Sequence, residues 1–94
     1  MMKENKIELM APAGGFEAMQ AAVHLLTQYQ DFRSFCKQPD VYKSTICTVS
    51  STALSIHADE TRLRFRITAN RFLRAMIRMI VGHLVKIGQG EMDL

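Results

Sequence analysis

The apolar positions of the chain fall into two helical repeats separated by two strand-like stretches. From residue 16 to about residue 28, apolar side chains recur every three or four positions, as they do on one face of a helix; they are Phe16, Met19, Ala22, Val23 and Leu26. Residues 31–41 mix polar and aromatic side chains around Pro39-Asp40 and predict a loop. Residues 42–57 are rich in Ser, Thr, Val and Ile, a composition typical of strands.

Residues 62–69 give the clearest strand pattern. The apolar positions Leu63, Phe65, Ile67 and Ala69 alternate with Arg62, Arg64, Arg66 and Thr68. A period of two predicts one buried face and one exposed face. With residues 42–57 and a turn at 58–61, this strand predicts an antiparallel hairpin.

Residues 71–87 give the clearest helical pattern, with Asn70 placed to cap the helix. Most of its circumference is apolar, and the exceptions lie along one flank: Arg71, Arg74, Arg78, Gly82 and Lys86. A helix this apolar is typical of an element that is covered on most sides. Gly88 is predicted to end it in the left-handed conformation.

These elements predict an α+β fold in the order helix, strand, strand, helix, with two helices packed on an antiparallel hairpin. A chain of 94 residues allows one small domain, which we place at residues 16–94, after an extension at 1–15 that closes with a turn at 11–15. Two strands make a marginal sheet, and the second helix needs more cover than the chain offers. We therefore expect more chain or a partner, and self-association through unpaired strand edges or the apolar helix face.

The charge distribution points to an anionic partner. Residues 1–60 hold five Lys or Arg against seven Asp or Glu, whereas residues 61–94 hold seven against two. A basic segment of this kind is typical of nucleic-acid binding. Cys36 and Cys47 fit no disulfide framework or metal motif, so we expect two reduced, partly buried thiols. Neither a membrane helix nor a signal peptide is predicted, which favours a cytoplasmic protein.

Three blocks of the sequence resemble a known enzyme family. Residues 31–36 (D-F-R-S-F-C) are similar to its D-F-x-S-F loop, and residues 43–49 (K-S-T-I-C-T-V) to its K-[ST]-T-x-x-x-[IV] strand entry. Residues 70–82 (N-R-F-L-R-A-M-I-R-M-I-V-G) resemble its F-L-x-x-M-[VI]-R-x-x-V-G signature, and Gly88-Gln89-Gly90 its closing V-G-x-G. Over about residues 19–90 the chain thus resembles the C-terminal part of a tRNA pseudouridine synthase of the A type.

The resemblance implies isomerisation of uridine to pseudouridine in the anticodon arm of tRNA, without metal or organic cofactor, by an enzyme that extracts the base from its stack. It implies that Arg78 orients a nucleophilic aspartate, a role that suits the forked guanidinium. The family's G-R-T-D segment, which carries that aspartate, and its A-P-x-G-L-x-L strand do not occur in these 94 residues. We therefore expect this chain alone to be inactive, and Cys47 also stands where many members have arginine.

The remaining candidate residues are cations that could contact RNA. Arg62, Arg64 and Arg66 share one strand face and could follow phosphates, although charge on the exposed face of a sheet is also routine. Arg71, Arg74 and Lys43 are placed near Arg78, with ordinary surface or loop-capping roles as the alternative.

Other functions stay open at this point. Residues 7–18 weakly resemble the opening of the collagenase-like peptidase family, but bring no catalytic group. The chain could instead be a non-catalytic module that binds RNA or protein, or a gene product with no function of its own. Tight tRNA binding without pseudouridine formation would favour the module. A G-R-T-D segment in the upstream neighbouring reading frame would distinguish the enzyme hypothesis from a gene product with no function of its own.

Overall fold

The computed structural model describes residues 2–11, 14–59 and 61–91, which form a three-stranded antiparallel sheet with helices on one side. In chain order the main elements are β1 (Lys3–Met10), α1 (Phe16–Leu25), β2 (Val49–Ile56), β3 (Arg62–Ala69) and α2 (Met76–Gly88). Short 3-10 turns occupy Leu26–Gln28, Arg33–Phe35 and Pro39–Val41. The α+β class and the antiparallel pairing of β2 with β3 are confirmed.

The sheet contains a strand that the sequence pattern did not predict. β1 pairs along its whole length with β3, from Lys3 opposite Ala69 to Met10 opposite Arg62, so the strand order is β1-β3-β2. Its inward positions include Lys3 and Asn5, which break the apolar alternation expected of a strand. Part of the segment treated as an extension is therefore sheet, while the domain boundary at residue 15 stays a prediction.

Helix α2 begins later than its apolar pattern predicts. The predicted start at Arg71 is wrong: residues 71–75 are not helical, and Ala75, with a φ of 61°, precedes the first helical residue, Met76. Asn70 does not cap the helix, because its side-chain oxygen accepts a hydrogen bond from the backbone N–H of Thr48. At the other end Gly88 is still helical, and Gly90, with a φ of 78°, takes the left-handed position.

The hydrophobic core lies between the sheet and the helices. The inward side chains of β3, Leu63, Phe65, Ile67 and Ala69, have no exposed surface. They share one apolar cluster with Met19, Val23 and Leu26 from the first helical segment and with Met76, Ile80 and Leu84 from α2. The Arg residues that alternate with them on β3 are exposed, as the period of two predicts.

Several predicted features lie outside the described residues. These are the middle of the turn at 11–15, residue 60 of the turn at 58–61 and the last three residues of the predicted domain. Within the described part of the chain, no helix is long and apolar enough to cross a membrane.

The start of α1 lies close to the end of α2. Gly15 precedes α1 with a φ of 78°, and a Cβ added there would lie 2.1 Å from the carbonyl oxygen of Gly88 in α2. Both the backbone conformation and the space therefore require glycine at this position.

Replacing Gly15 by alanine should destabilise the fold. We expect Gly15→Ala to lower the free energy of unfolding by at least about 2 kcal/mol, because it combines a left-handed alanine with a backbone clash. Urea denaturation followed by circular dichroism measures the loss.

Two glycines provide matched controls for that measurement. Gly14, with a φ of 94°, has no atom within 4 Å of an added Cβ, so Gly14→Ala should show the cost of the backbone conformation alone. Gly82 lies inside α2 with the same open space, and Gly82→Ala should stabilise by about 0.5–1 kcal/mol. Equal losses for Gly14→Ala and Gly15→Ala would contradict the close approach to Gly88.

Candidate nucleic-acid interface

Two neighbouring segments and a distant third segment meet beside the N-terminal end of α2. They are residues 30–38, 42–48 and 70–75, and we call the place where they meet the loop junction. Each contains or overlaps one of the three blocks quoted from the sequence. The hydrogen bonds described below are what bring the blocks together.

The first two segments are joined like a minimal antiparallel ladder. The backbone N–H of Phe32 donates to the carbonyl of Thr45 at 3.0 Å, and that of Cys47 donates to the carbonyl of Gln30 at 2.7 Å. Asp31 and Ile46 face each other across this bridge. The D-F-R-S-F-C block and the K-S-T-I-C-T-V block are therefore fixed side by side.

The Asp31 carboxylate reinforces this bridge. It accepts hydrogen bonds from the Thr45 hydroxyl and from the backbone N–H of Arg33. These donors, the Thr45 hydroxyl first, hold the pKa of Asp31 below its ordinary value of 3.8. Asp31 is thus a structural carboxylate that stays ionised at neutral pH.

The third segment is bound to the other two by backbone groups. Asn70 is paired with Thr48 in both directions, since its N–H donates to the Thr48 carbonyl at 3.0 Å and its side-chain oxygen accepts from the Thr48 N–H at 2.8 Å. The carbonyl of Arg74 accepts from the N–H of Lys37 at 3.0 Å. The Asn70 side chain is therefore unavailable to cap a helix, and the Arg74 carbonyl is bonded outside the helix, which fits the start of α2 at Met76.

Tyr42 organises the two arginines that precede α2. Its hydroxyl accepts a hydrogen bond from the backbone N–H of Arg74 at 2.8 Å, and the Arg71 guanidinium lies 5.4 Å from the centre of its ring. Arg71 also donates to the carbonyl of Ser44 at 3.0 Å, and Arg74 to the side-chain oxygen of Gln38 at 3.0 Å. Both guanidiniums are therefore held in place by neutral groups, which leaves their charge uncompensated by these contacts.

Beneath the loop junction lies an aromatic layer. Phe32 has no exposed surface and Phe35 only 9%, so both rings pack under the loop. Phe35 meets the ring of His83 edge to face at 4.9 Å, and His83 in turn contacts the carbonyl of Met79. The junction is thereby packed against α2.

The two cysteines are buried free thiols, as expected. Burial raises the pKa of the Cys47 thiol, and the nearby Arg71 guanidinium acts in the opposite direction. Cys47 therefore contributes to the floor of the junction and not to its surface. No group of three or more His, Cys, Asp or Glu side chains in the described chain is arranged to hold a metal ion.

Arg78 lies in the first turn of α2, just beyond the junction, and its side chain is exposed. Among residues 2–11, 14–59 and 61–91 it has no hydrogen-bond or ion-pair partner, unlike Arg71 and Arg74. The prediction that Arg71 and Arg74 flank Arg78 on one helix face is wrong, because both precede the helix. They approach its N-terminal end from the loop instead, and Lys43 is exposed within the same junction.

Arg62, Arg64 and Arg66 form a separate group on the exposed face of the sheet. β1 supplies their partners: Glu8 lies 3.5 Å from Arg62 and 3.4 Å from Arg64, and Glu4 lies 4.0 Å from Arg66. These acidic partners are not evident from the sequence, because its pattern does not predict β1 as a strand. The roles of Tyr42 and Gln38 are not evident from the sequence either, because their contacts with residues 71–74 join positions that are distant along the chain.

The described residues thus define an α+β domain with one helix-covered sheet face, one open basic face and an arginine-bearing junction at a helix start. The sequence model of the tRNA pseudouridine synthase family matches residues 21–94. The chain belongs to this family.

Individual relatives agree with that assignment. The chain is 38% identical over 80 residues to the tRNA pseudouridine synthase A of Bacteroides thetaiotaomicron, covering 84% of this chain and 30% of the relative. It is 39% identical over 79 residues to that of Porphyromonas gingivalis, with 84% and 31% covered. The enzyme of Brevibacillus brevis is 39% identical over 75 residues, with 80% and 30% covered. The chain therefore spans about 30% of the length of these relatives.

Removing the Thr45 hydroxyl should raise the pKa of Asp31. In Thr45→Val the carboxylate loses its strongest hydrogen-bond donor, so we expect its pKa to move towards 3.8. A folded-state pKa below the unfolded value contributes stability that is present above pH 3.8 and is lost as the pH falls through the folded pKa. The variant should therefore lose less stability between neutral pH and acid than the parent.

NMR titration of the aspartate carboxyl carbons measures this shift. Asp59, whose pKa is lowered by hydrogen bonds from Thr61, is an internal control that should titrate unchanged. An unaltered Asp31 titration in Thr45→Val would show that the hydroxyl does not stabilise the carboxylate.

Proposed function

We propose that this chain supplies the RNA-holding C-terminal portion of a tRNA pseudouridine synthase, which converts uridine to pseudouridine in tRNA. The observation that carries the proposal is the convergence of the three sequence blocks at one junction beside Arg78. Hydrogen bonds join the first two segments to each other and to residues 70–75, which lie more than twenty residues further along the chain. Such an arrangement supports a shared binding surface better than three independent structural roles.

Arg78 is proposed to position the catalytic aspartate, which would come from a G-R-T-D segment outside these 94 residues. Its exposed guanidinium has no partner among the described residues and can donate two parallel hydrogen bonds to one carboxylate. The charge of arginine survives partial burial, so the pair would stay ionised when the flipped base covers it. Arg78 is in this sense a positioning residue, since the aspartate performs the bond exchange.

The neighbouring cations are proposed to hold the RNA. Arg71 and Arg74 keep their charge uncompensated at the junction, Lys43 is exposed beside them, and Arg62, Arg64 and Arg66 present a second basic surface. Phosphate contacts of this kind fix the position of an RNA without reading its sequence. The partner would be tRNA, in the cytoplasm, with neither metal nor organic cofactor required by the reaction.

A non-catalytic RNA-binding module is the second candidate function. The observation in its favour is that the basic surfaces are built within this chain, whereas the nucleophile is not. The same two surfaces would then bind RNA without turnover.

Self-association is part of the proposal. β1 and β2 each have one edge that no other described strand pairs, and Ile56 on β2 is 43% exposed. Two copies could pair such edges and cover apolar surface.

The 94-residue chain alone should bind tRNA without modifying it. We expect no pseudouridine formation on unmodified tRNA, because the proposed nucleophile is absent. Binding should weaken by at least about tenfold between about 50 mM and 200 mM salt, because phosphate contacts release counterions. Gel-shift titration and pseudouridine-specific chemical labelling measure the two quantities, and turnover would contradict the need for a second segment.

A chimaeric enzyme tests Arg78 directly. Residues 21–94 would replace the matching part of the Bacteroides thetaiotaomicron relative, which supplies the remainder of the enzyme. In this chimaera Arg78→Gln should lower kcat by at least about 100-fold, since a misplaced reacting group costs that much, while tRNA affinity should change little. Arg78→Lys should recover little of the loss, because lysine lacks the fork.

Lys86→Gln is the matched control in the chimaera. Lys86 is an exposed cation in the last turn of α2, so its replacement changes the charge equally without touching the proposed pair. Wild-type kcat for Arg78→Gln would overturn the positioning role. Equal losses of affinity and kcat would instead make Arg78 an RNA contact.

A further inference from the structure

The sheet face opposite the helices carries a continuous array of charged side chains. Residues directly opposite each other in neighbouring strands point to the same side, so Lys6 and Glu8 of β1 share this side with Arg66 and Arg64 of β3. On the other flank, Ala53 and Ser55 of β2 are opposite the same two arginines. We call this surface the outer sheet face.

Two shallow grooves cross the outer sheet face and share two lining residues, Ser55 and Arg64. One has a volume of about 290 Å³ and is lined by Lys6, Ala53, Ser55, Arg64 and Arg66. The other has a volume of about 230 Å³ and is lined by Ser55, Ile56, His57 and Arg64. Ala53 and Ser55, the β2 residues opposite Arg66 and Arg64, have small side chains, so these two guanidiniums lie beside open space.

The charges on this face favour a polyanion. Its permanent cations are Lys6, Arg62, Arg64 and Arg66, and its described carboxylates are Glu4 and Glu8. Alternate residues of a strand are about 6.8 Å apart, so the three arginines form a straight row about 14 Å long. A single row of regularly spaced cations suits one sugar-phosphate strand, whereas the scarcity of apolar residues among the groove-lining side chains disfavours a protein partner.

Glu8 is the internal competitor for these cations. Its carboxylate lies 3.4 Å from Arg64, 3.5 Å from Arg62 and 3.4 Å from Nε2 of His57. The hydrogen bond from Arg64, followed by the charges of His57, Arg64 and Arg62, keeps the pKa of Glu8 below its ordinary value. Glu8 is therefore an anion that occupies the place a phosphate would take between the first two arginines.

From this arrangement we infer that the outer sheet face binds a single RNA strand along β3, with Lys6, Arg64 and Arg66 as phosphate contacts and Glu8 as a built-in competitor. The inference rests on the proposed function, since it assigns part of the RNA to a second surface away from the loop junction. β1 contributes to this surface in two opposing ways, by adding Lys6 and by partly neutralising the arginine row.

Fluorescence anisotropy with a labelled ten-nucleotide oligouridylate and the full chain tests the inference. Two or three phosphate contacts predict a slope of about −1.4 to −2.1 for log binding constant against log salt. The double variant Arg64→Gln/Arg66→Gln should bind about tenfold more weakly or worse, with the slope reduced by about 1.4. Glu8→Gln should bind about two- to fivefold more tightly, because the RNA phosphates then no longer compete with the weak, exposed ion pairs that Glu8 forms with Arg62 and Arg64.

Charge changes elsewhere on the surface supply the controls. Lys86→Gln removes a cation from α2 and Glu17→Gln removes an acid from the first turn of α1, and both should leave affinity within about twofold of the parent. Circular dichroism confirms folding of each variant. If the arginine pair is needed for folding, Glu8→Gln alone still decides the matter, since binding that is unchanged or weaker contradicts the inference.

The outcomes separate this inference from the proposed function. Oligouridylate binding that is unchanged in both Arg64→Gln/Arg66→Gln and Glu8→Gln would place the RNA elsewhere. That result would overturn the inference and the RNA contacts proposed for Arg64 and Arg66, while leaving the proposed role of the loop junction and Arg78 intact. Absence of oligouridylate binding by the parent chain would also overturn the inference. The kcat of the Arg78 variants in the chimaera would then test the proposed function independently. Tighter binding of a polyglutamate peptide than of oligouridylate would assign the face to an acidic protein.

Discussion

The two-sided pairing of β3 is the constraint on which the rest of the structure depends. Hydrogen bonds to β1 and β2 hold this strand in the centre of the sheet, and its strict alternation then sends Leu63, Phe65 and Ile67 into the core. The arginines that alternate with them therefore lie on the open face of the sheet. A single eight-residue strand thus fixes both the position of the helices and the row formed by Arg62, Arg64 and Arg66.

The start of α2 shows how long-range bonds override a local pattern. Residues 70–75 have the apolar spacing of a helix, yet Asn70 is paired with Thr48 and Arg74 with Tyr42 and Lys37. Each of these bonds uses a group that a helix would have needed. As a consequence, Arg71 and Arg74 reach the end of α2 from a loop, and Arg78 becomes an early residue of the helix.

The sequence predicts those elements whose signal lies within the element itself. The alternation of β3 and the spacing of α1 are local, so the hairpin and the first helix were predictable. β1 was not, because its inward Lys3 and Asn5 at a sheet edge break the alternation. The partners Tyr42 and Gln38 were not predictable either, since they lie some thirty residues from the arginines they contact.

The contrast between the two basic surfaces bears on how each can bind RNA. At the loop junction, Arg71 and Arg74 are oriented by neutral acceptors, so their positions are fixed while their charge remains available to a phosphate. On the outer sheet face, the arginines are oriented by carboxylates, so an incoming phosphate must compete with Glu4 and Glu8. Preorganised cations favour tight and well-positioned contacts, whereas screened ones favour weak and exchangeable contacts. Under the proposed function, the junction would suit the part of the RNA that is held near Arg78, and the sheet face would suit a strand that is guided towards it.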